Sequence, residues 1–272
     1  MILTLVHLLF AAEPGDPGYR PPGLGTDLYR PEWGCSSMGV VCPNPAGKWA
    51  AGATLSWANR PLLYWKDDVE LAVIDQLLAL QVGAGGRIGP FWFDINVPTV
   101  LFLSSDYADP VYLRLGDPSL QGRWGGEVVA GLTVGVYGRL VVPTSSDRLG
   151  LGEEGLSGRV GLSAAVEPGP LRVEAGSYVL LRRHRYEDGW WVGDMLGLQG
   201  SLSVDLPLRP GVEAWLEVGP MRDLEAGTAR GELLGSLSWK GLTVAAGAGI
   251  LPGPGTPAWR IIVRGSPASG KR

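Results

Sequence analysis

Leu196–Leu206 reads LGLQGSLSVDL. Leu196, Leu198, Gly200, Leu202, Val204 and Leu206 make one wholly nonpolar row, while Gln199, Ser201, Ser203 and Asp205 fall on the other. A two-residue period is that of a β-strand, whose successive side chains point to opposite faces. The same separation recurs toward the C-terminus. Val212, Ala214, Leu216 and Val218 alternate with Glu213, Trp215 and Glu217, and Leu233, Gly235, Leu237 and Trp239 with Glu232, Ser236 and Ser238. Leu242, Val244, Ala246, Ala248 and Ile250 then alternate with Thr243, Ala245, Gly247 and Gly249, and Trp259, Ile261 and Val263 with Arg260 and Arg264. Every charge in these segments lies on one row.

Composition supports strands and excludes other classes. In 272 residues there are 42 Gly and 22 Pro, and only 18% are charged. Long helices are disfavoured, because an interior Gly costs about 1 kcal/mol and a Pro about 3 relative to Ala. Disorder is excluded by 45% hydrophobic residues and 11 Trp, which need burial or lipid. A net charge of -4 carries no basic footprint for nucleic acid. Gly241–Trp259, GLTVAAGAGILPGPGTPAW, has no charge, but Pro252, Pro254 and Pro257 exclude a membrane helix. The remaining way to place such a chain in lipid is a closed barrel, in which every backbone group pairs with a neighbouring strand.

Residues 1–12, MILTLVHLLFAA, are apolar and give way to EPGDPG, so a secretory signal is expected there, with a buried N-terminal segment as the alternative. Residues 13–47 form a Pro/Gly-rich segment, either a plug or periplasmic, 48–266 the barrel, and 267–272 a tail. In that N-terminal segment Cys35 and Cys42 could pair in an oxidising compartment, two separate thiols being the alternative. Neither metal nor cofactor is expected, since the two Cys with distant His7 and His184 offer no four-ligand spacing.

Further strands are predicted near 48–58, 72–85, 90–102, 118–125, 129–143, 155–166 and 170–183. With the five C-terminal segments this gives an all-β, antiparallel, up-and-down transmembrane barrel of about 12 strands. In such a barrel the polar row faces the lumen. The lumen-facing charges are then Asp75, Asp94, Arg123, Arg139, Arg159, Arg172, Glu174, Glu213, Glu217, Glu232, Arg260 and Arg264. Their signs are nearly balanced, which predicts no strong ion preference. Tight links are predicted at 85–89, 125–129, 167–170, 207–211 and 239–241. They alternate with longer connections such as NRPLLYWKDDVEL, LSSDYADPVYLRLGD and PMRDLEAGTARG, as in barrels with short periplasmic turns and longer outer loops.

The stretches WAAGATLSWANRPLLY, FWFDINVPTVLF, GDPSLQGRW, LVVPTSSD and GAGILPGPGTPAWRIIVRG resemble the barrel region of OmpA-family proteins of myxobacteria and related Gram-negative bacteria. The resemblance covers about residues 47–266 and implies an outer-membrane barrel. Members of that family commonly carry a C-terminal peptidoglycan-binding domain. Here the chain stops at GSPASGKR, so peptidoglycan binding is not carried over.

The expected function is accordingly that of a non-enzymatic outer-membrane barrel, either structural or a porin-like passive channel with a mixed-charge lumen. Its expected partners are membrane lipid, lipopolysaccharide and small solutes. A secreted or periplasmic soluble β-protein acting as a binding module is the alternative. A lipid hydrolase is a third class, but its nucleophile would need a base, and His184 in RRHRYEDG is the one histidine left after signal removal.

Overall fold

The computed structural model describes residues 48–66, 69–106, 108–144, 155–182, 185–187, 190–192, 194–204, 206, 209–218, 229–251 and 256–266, with backbone alone for 64–66, 69–71, 185–187, 190–192 and 213–218. The strands are β1 (Trp49–Lys66), β2 (Val69–Ile88), β3 (Phe91–Ser104), β4 (Val111–Leu115), β5 (Ser119–Val129), β6 (Leu132–Val141), β7 (Ser157–Val166) and β8 (Leu171–Leu181). They continue with β9 (Arg185–Glu187), β10 (Trp190–Val192), β11 (Met195–Val204), β12 (Arg209–Val218), β13 (Ala229–Trp239), β14 (Leu242–Leu251) and β15 (Trp259–Gly265).

Twelve of these close an antiparallel barrel. Each pairs with the next long strand in the chain, and the first meets the last, with Ala53 opposite Gly265 and Asn59 opposite Trp259. Closure leaves no exposed sheet edge among the barrel strands, the condition for a β-protein in hydrocarbon. The short strand β4 extends the row of β5 along β3, pairing Leu115 with Thr99 beyond the point where Ser119 meets Asn96. Gly116–Pro118 interrupt that row, and the buried Asp117 accepts a hydrogen bond from the Thr144 amide at 2.6 Å. β9 and β10 form a separate hairpin in the connection after β8.

Burial is inverted relative to a soluble protein. Along β3 the pattern alternates from its first residue: Phe91, Phe93 and Ile95 are exposed, whereas Trp92, Asp94 and Asn96 are buried. Along β7, Val160 and Leu162 are exposed while Arg159 and Ser163 are buried. A sandwich would enclose its apolar rows between two sheets. Here a single closed layer turns them outward, so the soluble binding module is excluded.

The predicted strands recur with shifted ends. NRPLLYWKDDVEL, expected as a long loop, is largely strand, because β1 runs to Lys66 and β2 begins at Val69. Arg60 takes a left-handed φ of 51° beside a register shift, so a bulge absorbs the Arg-Pro step. The link expected at 125–129 is the end of β5, and the turn falls at Ala130 and Gly131, where Gly131 has φ of 80°. The connection from β13 to β14 turns at Lys240 and Gly241, both with positive φ, the conformation of a two-residue type I′ hairpin. At the opposite end, Ala58, Leu62, Val73, Ile74, Leu77, Ala79, Val100 and Leu103 form a dry apolar cluster on the inner wall of β1–β3.

Candidate functional site: the charged lumen wall

The inner wall carries charge in three groups. On β3 and β5, Asp94 accepts from Arg123 at 2.5 Å, with both side chains buried. The Arg123 guanidinium also sits 5.9 Å from the Trp92 ring centroid. Next to it, Arg139 on β6 stands opposite Arg159 on β7 in the strand register. Arg159 is buried with its guanidinium 3.9 Å over the Tyr178 ring, a cation–π contact in a dry setting.

The second group lies near the short-turn end. Arg172 meets Glu174 at 2.5 Å and also pairs with Glu167. Glu174 accepts in addition from Ser201 Oγ at 3.2 Å on β11. The third group spans the closing seam. Arg260 on β15 donates to Glu232 on β13 at 3.0 Å and to Ser56 on β1 at 3.2 Å. To reach Glu232 it crosses β14 where Gly247 and Gly249 occupy the inward positions, leaving that strand without an obstructing side chain. Arg264 donates to Thr54 at 3.1 Å, again from last strand to first.

Of the residues singled out from the sequence, Asp94, Arg123, Arg159, Glu174, Glu232, Arg260 and Arg264 are buried on this wall, and Arg139 and Arg172 are partly buried. Asp75 lies toward the long-loop end, 3.7 Å from Arg60, with both side chains partly exposed. Glu213 and Glu217 stand opposite Ser201 and Gly197 in the register, and their side chains lie outside the described set. Cys35, Cys42 and His184 lie outside the described residues altogether. Among the described residues no group of three His, Cys, Asp or Glu could hold a metal ion.

The sequence reading overlooked charge on this wall at Arg230. Arg230, 1% exposed, sits in a stretch that reads as loop. Tyr137 stands opposite Gly161, and Tyr178 opposite Gly197, each inward ring lying where a Cβ on that glycine would go. The two-residue period already places both tyrosines on the polar row, and the register adds the glycines they cover. Gln81, Asn96 and Gln121 share that wall as buried amides.

No protein-family model matches the chain, and no curated protein matches it. Solved structures do. The COG4313 outer membrane channel from Pseudomonas putida F1 is similar over 82% of this chain and 96% of its own, with a TM-score of 0.61 and 12% identity. The β domain of the Bordetella autotransporter BrkA is also similar, covering 81% of this chain and 99% of its own, with a TM-score of 0.42 and 12% identity. The first likeness concerns the fold and agrees with the closed antiparallel barrel described above. With its apolar rows outward and charges inward, the chain has the fold of an outer-membrane β-barrel.

Proposed function

We propose that this barrel is a porin-like passive channel with a mixed-charge lumen, and not an enzyme. The observation that carries the reading is the inverted alternation of a closed wall. Polar and charged side chains recur on the inner face from β1 to β15, interrupted by the apolar cluster of β1–β3, and leucine, valine and aromatic residues cover the outside. Such a wall suits solute passage through lipid. The similar Pseudomonas putida protein is an outer membrane channel, which supports the same reading. The OmpA-family kinship belongs to this proposal and is supported by the sequence phrases alone. Lipid acyl chains contact the outward rows, and lipopolysaccharide is the proposed partner at the outer rim.

A purely structural role is the second reading. It is favoured by how little of the inner row water reaches: Ala58 and Ile262 are 0% exposed and Arg260 1%. Planar-bilayer recording of the refolded full chain separates the two. Discrete conductance steps, with ion selectivity altered when Glu213 and Glu217 are neutralised, support the channel. A silent bilayer, with heat-modifiable protein recovered in the outer-membrane fraction, overturns it in favour of the structural role.

A further inference from the structure

We propose that the short-turn rim of the closing seam, from β13 to β1, binds an anionic phospholipid of the phosphatidylglycerol class, with Lys48 and Lys240 on its headgroup. The site rests on the barrel's place in a membrane and not on conduction. Trp239, Leu242, Gly265 and Ala53 form one row across four paired strands and belong to the outward face. At Gly265 nothing lies within 4 Å of where a Cβ would stand, and Ala53 and Ala51 continue the low ground along β1. Trp239, 55% exposed, and Leu242 bound this trough on one side, and Trp49, 65% exposed, bounds it at the short-turn end. Such a trough on a lipid-facing wall suits an acyl chain.

The two tryptophans also set a depth. Outward Trp at strand ends sits at the level of the lipid headgroups. Each has an exposed lysine next to it in the chain, Lys48 before Trp49 and Lys240 after Trp239. Lys240 Nζ is 4.9 Å from the Trp239 ring centroid, a cation–π contact that holds the ammonium at the rim. An ammonium has three donors, so one stacked on a ring can still donate to a phosphate. Backbone bonds fix both positions: the Ser266 amide donates to the Gly241 carbonyl and the Arg87 amide to the Lys48 carbonyl, each at 2.8 Å.

Charge selects the headgroup. Among the described residues in 48–53, 82–91, 237–244 and 263–266 there is no carboxylate. Acidic residues enter the rim further round, with Glu127 at the end of β5 and Glu167 between β7 and β8. The seam side of the rim is therefore the side that suits an anion. Short turns of such barrels face the periplasm, where the leaflet is phospholipid, so the lipopolysaccharide of the other leaflet does not reach this end. Lysine at an anionic lipid surface strengthens binding about fivefold. A zwitterionic headgroup would bring its own ammonium against the two lysines.

The test titrates the refolded full chain in detergent with phosphatidylglycerol and, separately, with phosphatidylethanolamine of the same acyl chains, and counts bound lipid by native mass spectrometry. The expected result is phosphatidylglycerol held about tenfold or more tightly than phosphatidylethanolamine. K48Q and K240N should each weaken its retention about fivefold, asparagine at 240 preserving the left-handed turn. R114Q, which removes an exposed arginine at the long-loop end, should leave retention unchanged. Equal retention of the two lipids, or a loss in R114Q as large as in the lysine variants, overturns the site. So does inorganic phosphate that displaces the lipid at equal concentration, because a bare phosphate site would then account for the binding. If a lysine variant fails to refold, G265V fills the trough without touching a charge, and retention unchanged in it also overturns the proposal. A channel that proves silent in planar bilayers leaves the site standing.

Discussion

Trp57 on the first strand meets Trp259 on the last edge to face, with ring centroids 5.3 Å apart and planes at 70°. On the other side of the same seam, Arg260 donates to Ser56 and Arg264 to Thr54. The junction between first and last strands is thus pinned from the lipid side by aromatic contact and from the lumen side by hydrogen bonds. Aromatic pairs contribute about 0.5–1.5 kcal/mol beyond the area they cover. W259A should therefore lower unfolding stability by about 1 kcal/mol and speed amide exchange at Ala53–Asn59 before other strands. Urea unfolding in lipid with hydrogen exchange checks this, and uniform exchange across the barrel would refute it.

Arg260 and Glu232 form a buried pair at 3.0 Å. Removing one partner of such a pair leaves a dry charge, which costs about 3–5 kcal/mol, whereas replacing both is often neutral. R260A should impair refolding severely, and the E232Q/R260M double variant should recover most of the loss. The yield of heat-modifiable protein after refolding measures both.

Tyr178 lies over Gly197, where any Cβ would collide with the ring. G197V should cost about 1–3 kcal/mol as an overpacked site. Adding Y178A should restore part of that stability, because the clash is shared between the two positions. Additive losses in a double-mutant cycle would show that the ring does not occupy this place.

Neighbouring residues of β7 should respond oppositely to charge. Leu162 is 60% exposed on the outer face and Ser163 is 5% exposed on the inner. A lysine on the lipid face near the bilayer midplane costs about 2–4 kcal/mol. L162K should lose about that much while S163K loses less, as read from denaturant midpoints in vesicles. Equal losses would argue against lipid on one side only.

The barrel was legible because each strand confines its charges to one row, as Arg159 and Ser163 do against Val160 and Leu162. Strand ends were less so. Arg60-Pro61 reads as a loop opening, yet a left-handed Arg60 lets β1 continue. Gly125 and Gly126 read as a turn but belong to β5, since a glycine pair carries no outward or inward preference to reveal its strand. The lumen partners were hidden for another reason. Arg260 and Ser56 are 204 residues apart and are joined only by closure, which no local pattern encodes. Arg230 was lost with the strand start of β13, three residues before the alternation becomes clear at Leu233.

The most direct test of lipid on the apolar rows is a spin-label scan of β7, Gly158–Val166, in vesicles, with Cys35 and Cys42 first changed to serine. Collision with oxygen, which concentrates in hydrocarbon, should peak at Val160, Leu162 and Ala164, and collision with a water-soluble nickel complex should be lowest there. Accessibility without a two-residue period, or an apolar row shielded from both reagents as between stacked sheets, would contradict the account.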